Sequence, residues 1–290
     1  MESTLSEILP AANAERSAVA AFNVFSLEEA VCVADVAESL GRPVVLMTNK
    51  DVIRRIPVEI FGPALRAVAA SVRVPVVVHL DHTYTAETVY RAIRGGYTSV
   101  MFDGSQLPFE ENVVQTRRIV EVAHACGVSV EGEIGSVAYN ESANTIRHEL
   151  TEPETAARFC AETGVDAVAV SVGTVHKLTE KRAAVDHDLL RRIAAETSVP
   201  LVIHGSSGVP DEDLIAMARG PVAKFNIGTI LRRAWGETLR EELAARPQEF
   251  DYLTLTQAPL EALKRAAREM ITLLAADAET GTNGRSPSHE

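Results

Sequence analysis

Eight short apolar runs, each followed by a stretch of helical period, constrain this chain more than any other feature. The runs are Val19–Asn23, Pro43–Met47, Pro75–Asp81, Thr98–Asp103, Val128–Gly135, Asp166–Val172, Pro200–His204 and Val222–Ile227. Between them lie Leu27–Leu40, Ala86–Arg94, Pro108–Cys126, Pro153–Thr163, Asp186–Thr197, Asp211–Arg219 and Thr229–Ala245, all of helical period. Continuous apolar runs suit parallel strands buried on both faces, and parallel strands need a crossover helix between them. Eight such units predict an α/β fold, a (β/α)8 TIM barrel. An open doubly wound sheet is the competing arrangement, but AFNVFSLEE after the first strand carries no glycine-rich dinucleotide turn. Past Leu253, LTQAPLEALKRAAREMITLLAADA predicts a C-terminal helical extension covering the barrel or a neighbouring subunit. One barrel domain over residues 1–275 is expected, followed by a polar, disordered tail over 276–290.

In such a barrel the C-terminal strand ends build the active site. Here nearly every strand ends in a polar side chain: Asn23, Asp81 with His82, Asp103, Glu131 with Glu133, His204 and Asn226, with His176 just past the sixth strand. In VVVHLDHTYT a β-branched run closes on His79, Asp81 and His82. Burying such groups costs several kcal/mol unless they are paired, hydrogen-bonded or bound to metal. Three neutral imidazoles with an open fourth position suit catalytic zinc, which makes His82, His176 and His204 a candidate ligand set. His79, two residues before Asp81 on the same strand face, reads as support for that set rather than a member of it. HGSSG at 204–208 and FNIGT at 225–229 are small-residue turns after the seventh and eighth strands, where barrels commonly hold phosphate on backbone N–H groups.

The net charge of −12, with no basic stripe, argues against a nucleic-acid partner. Cys32, Cys126 and Cys160 are odd in number, lack metal-site spacing and read as reduced core cysteines of a cytoplasmic protein. The N-terminal MESTLSEILPAANAER has neither the basic start nor the apolar centre of a signal peptide. No apolar run approaches the roughly 18 residues of a membrane helix.

VPVVVHLDH, SVMFDGSQLPFEENVVQT, VSVEGEIG, TEPETAARFCAETGVDAVAVSVGTVH, PLVIHGSSGVPDE and KFNIGT occur in that order. Through them the chain resembles the class II, zinc-dependent ketose-bisphosphate aldolases, the group of fructose- and tagatose-bisphosphate aldolases. The resemblance implies a lyase in which His82, His176 and His204 hold catalytic Zn2+ and Asp81 exchanges the proton of the cleaved hydroxyl. Asp103 and Glu133 match carboxylates that bind a second divalent ion or hydrogen-bond the zinc ligands. Gly205, Ser206, Ser207, Asn226, Gly228 and Thr229 fall in the turns that contact phosphate and enediolate, a region where relatives also hold a monovalent cation. Asn23 reaches the same substrate end. The implied reaction is reversible cleavage of a ketose 1-phosphate or 1,6-bisphosphate-type sugar to dihydroxyacetone phosphate and an aldehyde, through a zinc-stabilised enediolate. The implied assembly is a homodimer or homotetramer.

Three departures from the family pattern stand out. The loop after the fifth strand, SVAYNESANTIRHEL, lacks the family's glycine pair; counting from EIG, Glu141 takes the place of the catalytic glutamate, with Glu149 the competing candidate. Lys177 stands where glycine usually follows the GT-x-H motif, bringing a new charge to the phosphate end, and Gly228 stands where aspartate is frequent. The aldehyde half of the substrate falls to loops such as MTNKDV at 47–52, Lys50 included, and to residues near 136–150. Deoxygluconate-type or sulfonated sugar phosphates are therefore alternatives, as are, further off, a zinc hydrolase and a non-catalytic barrel subunit.

Overall fold

In a computed structural model, which describes residues 1–139, 149–176, 180–181 and 183–275, eight parallel strands close into a (β/α)8 TIM barrel. They are β1 Val19–Asn23, β2 Val44–Thr48, β3 Val76–Thr83, β4 Ser99–Phe102, β5 Ser129–Ile134, β6 Ala167–Val170, β7 Leu201–Ile203 and β8 Val222–Ile227. Each pairs with the next, and β8 returns to β1 with Lys224 opposite Val19 and Ile227 opposite Phe22. The predicted strands are all present, most of them trimmed at one or both ends. The largest change is in β6, which stops at Val170, so that His176 sits on a separate two-residue strand, Val175–His176, paired in parallel with Ala138–Tyr139.

The helices follow their local signals. Leu27–Leu40 starts where the Ser26 hydroxyl accepts the Glu29 N–H (3.2 Å) and stops at Gly41, whose φ of 63° takes the left-handed cap. Ala86–Arg94, Pro153–Thr163 and Thr229–Ala245 have their expected bounds. The crossover from β2 to β3, unassigned from sequence, holds Lys50–Ile53 and Val58–Ser71. Pro57 and Pro63 obscure it, one preceding the helix and one tolerated within it.

A further helix without a sequence expectation, Leu5–Ala14, closes the N-terminal end of the barrel. Inside the barrel the strands present small side chains, among them Ala21, Val45, Val77, Ala167 and Ala169. Leu5, Ile8 and Leu9 fill the space these leave and form one apolar cluster with them. The rest of the core lies between strands and outer helices. The extension Tyr252–Leu274 covers the barrel of its own chain: Leu263, Ala267, Met270, Ile271 and Leu274 are buried, and the Leu274 carbonyl accepts the Ala18 N–H (3.0 Å). The predicted tail lies outside the described residues.

All three cysteines are free. Cys32 and Cys160 are buried, which pushes their thiols up to about 11 and about 12. Cys126 is exposed instead, because it follows the last turn of helix Phe109–Ala125 and leaves the packed face there. No helix among the described residues is long and apolar enough to cross a membrane.

The plug makes a testable demand. Leu9→Ala removes a fully buried side chain from a rigid cluster and is expected to cost about 2–5 kcal/mol in chemical denaturation.

Candidate active site

At the C-terminal mouth of the barrel, β3 bends. Its register against β4 shifts between Leu80 and Thr83, and His82 takes a φ of 44°, a backbone state rare for a side chain of this kind. In a regular strand, Asp81 and His82 would point to opposite faces. The bend instead lets both meet groups at the mouth, Asp81 with Asn226 and His82 with His204.

His82, His176 and His204 each offer a nitrogen to a group whose ligand atoms lie within 4.8 Å of one another. His82 and His204 are closest, with ring centroids 4.6 Å apart and His204 Nδ1 2.9 Å from His82 Nε2. Carboxylates set the opposite edges of these two rings. His82 Nδ1 donates to Asp103 Oδ2 (2.9 Å), and His204 Nε2 donates to Glu131 Oε1 (2.9 Å). Carboxylates only accept here, so each ring carries a hydrogen on its outer nitrogen and turns its inner nitrogen toward the other. This is the arrangement by which buried carboxylates orient imidazoles for a metal.

The charge balance makes the same demand. Asp81, Asp103, Glu131 and Glu133 are all buried around these rings. Burial works against an imidazolium at His82, yet Asp81, Asp103 and Glu133 outweigh it and raise the ring to about 10. Burial, reinforced by the positive neighbour at His82, drives His176 and His204 well below the ordinary range. A proton at His82 thus does here what a divalent cation would do better, and the donor set fits zinc. Asp103 is held down to about 2: burial pushes it up, but the His82 hydrogen bond and charge outweigh that, helped by the Ser105 hydroxyl (2.6 Å). Glu133 goes the other way, raised by burial and by Asp103; its Oε2 has no hydrogen-bond partner among the described residues and lies 3.7 Å from His82 Nδ1. His82, Asp103 and Glu133 form a second possible metal-holding group. Because His82 Nδ1 is occupied by Asp103, a second ion would rest on the two carboxylates.

Asp81 is clamped from both sides. Asn23 Nδ2 donates to one carboxylate oxygen (2.8 Å) and Asn226 Nδ2 to the other (3.0 Å). Beneath lies a residue without a sequence-based expectation. Lys224, fully buried, donates to Glu131 Oε2 (2.8 Å) and to Asn226 Oδ1 (2.6 Å). One ammonium therefore steadies both the carboxylate that orients His204 and the amide that holds Asp81. A signal existed: Lys224 and Asn226 alternate in VAKFNI and so share a strand face. His79 stays behind the cluster, with Nδ1 2.8 Å from the Ser99 hydroxyl and burial pushing its ring down to about 3.

The two turns meet as expected. Gly205 has a φ of 70°, and a Cβ there would lie 2.7 Å from the carbonyl carbon of Val175; only glycine lets the turn pack against the segment bearing His176. The Ser206 hydroxyl donates to the Asn226 carbonyl (2.6 Å), tying one turn to the other, and half-buried Ser207 follows it. Gly228 precedes Thr229 at the start of helix Thr229–Ala245. A Cβ at Gly228 would make only ordinary contact with Asn23 at 3.5 Å, so sterics do not require glycine there. Glu141 and Lys177 lie outside the described residues. Glu149 is exposed and borders a neighbouring cavity with Ser105 and Asn112, not the one lined by His82 and His176.

A closed α/β barrel whose mouth gathers histidines, carboxylates and two small-residue turns has the equipment of a barrel enzyme for a small substrate. The chain belongs to the class II fructose-bisphosphate aldolase family, whose model, described as "Fructose-bisphosphate aldolase class-II", matches residues 3–279. It is 37% identical over 297 residues to the fructose-bisphosphate aldolase of Thermus caldophilus, covering 92% of this chain and 96% of that protein. It is 34% identical over 275 residues to the 6-phospho-5-dehydro-2-deoxy-D-gluconate aldolase of Shouchella clausii, covering 92% of each. Among solved structures, the YdjI aldolase from Escherichia coli K12 superposes with a TM-score of 0.84 at 30% identity, over 96% of this chain and 99% of that one. The protein is thus an aldolase, a lyase, of a family that is zinc-dependent in general and binds sugar phosphates.

Lys224→Met leaves the buried Glu131 without its cationic partner, and the expected cost is about 3–5 kcal/mol in denaturant unfolding. Adding Glu131→Gln should return part of that loss, because the remaining amide carries no charge.

Proposed function

We propose that this aldolase reversibly cleaves a ketose 1-phosphate or 1,6-bisphosphate-type sugar to dihydroxyacetone phosphate and an aldehyde. The observation that carries the reading is the junction at the tip of β3. There Asp81, held by Asn23 and Asn226, adjoins His82 in the histidine cluster. His82, His176 and His204 would hold Zn2+. Bound there, the metal supplies Lewis acidity toward the substrate carbonyl and compensates the negative charge that bond cleavage leaves.

The chain's own residues carry the proton traffic. Asp81 takes the proton of the carbon-4 hydroxyl, and the carbon 3–carbon 4 bond breaks as carbon 4 becomes the aldehyde carbonyl. The electron pair of that bond stays with the three-carbon fragment as an enediolate. Glu141, by the resemblance, returns a proton to carbon 3 to complete dihydroxyacetone phosphate. The turns at Gly205–Ser207 and Gly228–Thr229 bind the phosphate on backbone N–H groups, with Lys177 adding charge at that end. Asn23 and Asn226 keep the Asp81 carboxylate turned toward the hydroxyl, and Asn226 is in turn held by Lys224. Asp103 and Glu133 fix His82 and offer oxygens to a second divalent ion, and a monovalent cation is proposed beside the phosphate.

His204→Ala is expected to lose zinc, read by atomic absorption, together with cleavage; full activity in the metal-free variant overturns the reading. Asp81→Asn should retain zinc while cleavage falls about 10²–10⁴-fold, the loss typical of a removed general base.

A further inference from the structure

From the stretch SVMFDGSQLPFEENVVQT the site draws on Ser99, Asp103 and Ser105, but two residues further along it are polar and buried on a helix. Asn112 and Thr116 stand one turn apart on the inward face of helix Phe109–Ala125, among Val113, Ile119 and Val120, and are 1% and 0% exposed. Burying an amide and a hydroxyl is costly unless both are hydrogen-bonded. Here they are: Thr116 Oγ1 donates to Asn112 Oδ1 (3.0 Å), and Asn112 Nδ2 donates to the Glu133 backbone carbonyl (3.0 Å). By occupying the amide oxygen, the hydroxyl leaves the amide nitrogen facing β5.

That bond falls where the sheet stops. The ladder between β4 and β5 ends with Phe102 opposite Gly132. Asp103 and Glu133 each lie one residue past it, so the ladder does not set the distance between them. Both approach the outer nitrogen of His82, at 2.9 and 3.7 Å from Nδ1. Like charges at such range repel, and an unrestrained pair would part. Asn112 meets both strand ends. Besides holding the Glu133 carbonyl, it supports the turn after β4: a Cβ on Gly104 would lie 2.1 Å from Asn112 Oδ1, so the Gly104 backbone rests directly on the amide. The Leu107 N–H closes that turn on the Gly104 carbonyl (2.9 Å). From the same turn, the Ser105 N–H and hydroxyl hold Asp103 Oδ1 (3.2 and 2.6 Å).

We propose that Asn112 is the positioning residue of the Asp103–Glu133 pair: gripping the end of β5 and seating the turn after β4, it fixes both carboxylates around His82 and so keeps that ring aimed at the metal position. The inference rests on the zinc reading above and deepens it with a residue that touches neither metal nor substrate. Groups that orient a ligating imidazole are worth about 10–100-fold in metal affinity. Asn112 acts one contact further out, so an effect of about tenfold, the lower end of that range, is expected.

The test reads zinc affinity rather than turnover. Zinc is withdrawn from the purified holoenzyme by a chromophoric chelator of known affinity, and the folding of each variant is checked by circular dichroism. Asn112→Ala should raise the zinc Kd about tenfold, and so should Asn112→Leu, which keeps the volume but not the hydrogen bonds. Thr116→Val removes only the hydroxyl that orients the amide and should raise the Kd about 2–5-fold. Gly104→Ala should also loosen zinc, because its Cβ has no room beside the Asn112 amide. Combining it with Asn112→Ala makes that room, so the double variant should bind zinc within about twofold of Asn112→Ala alone. A folded Asn112 variant with the wild-type zinc Kd overturns the proposal, and so does a double variant whose losses simply add. Should neither Asn112 variant fold, an unchanged Kd in Thr116→Val overturns it. A wild-type enzyme that holds no zinc overturns the zinc reading and this assignment together; a wild type that holds zinc as tightly as its Asn112 variants overturns this assignment alone.

Discussion

A charge inside a barrel has no water to solvate it, and the organisation of this site follows from how one such charge is met. Glu131 points inward from β5 and is wholly buried, as is Lys224 on β8. Their contact at 2.8 Å offsets the desolvation of both, and each has capacity left over. Glu131 uses its second oxygen on His204, and Lys224 uses a further hydrogen on Asn226. From a single ion pair, one branch therefore reaches the histidine cluster and the other reaches Asp81. A low surrounding dielectric strengthens each of these contacts and makes each expensive to lose. The ligand set and the proton acceptor are in this way held to one another rather than built separately.

Strain accompanies that rigidity at the two points where the chain must do something unusual. His82 holds a left-handed backbone although it is not glycine, at a cost of order 1–3 kcal/mol. The benefit is local: without the bend, Asp81 and His82 would face opposite ways. Gly205 solves the opposite problem, since the segment bearing His176 comes too close for any side chain there. Both positions lie where strands end and loops begin.

What could be read from residues alone divides along physical lines. Strand ends were legible because burial on both faces leaves continuous apolar runs, and a polar residue closing such a run is conspicuous. That is how Asn23, Asp81, Asp103, Glu133, His204 and Asn226 come to notice, and the structure gathers them at the mouth. Lys224 was not legible as a partner of Glu131, since nothing local links positions separated by most of the chain. The plug helix Leu5–Ala14 escaped for a related reason: its apolar side chains answer the small residues of distant strands, and Pro10 interrupts its local pattern. The bend at His82 is a register event between β3 and β4, which no single strand records. Cys126 shows the limit at the surface, where an apolar neighbourhood in sequence did not mean burial.

The barrel's cross-section changes character from end to end, and this is what makes a small apolar interior compatible with such charged chemistry. At the N-terminal end, leucines of the plug meet alanines and valines, a dry layer that keeps water from reaching the middle from below. The middle layer holds His79, Ser99, Glu131 and Lys224, polar yet closed to solvent, where the field of each charge is weakly screened. The histidines and the Asp81 clamp stand on that layer, at the open end of the barrel. A positive charge lower down would compete with Lys224 for Glu131 or repel a metal at the histidines.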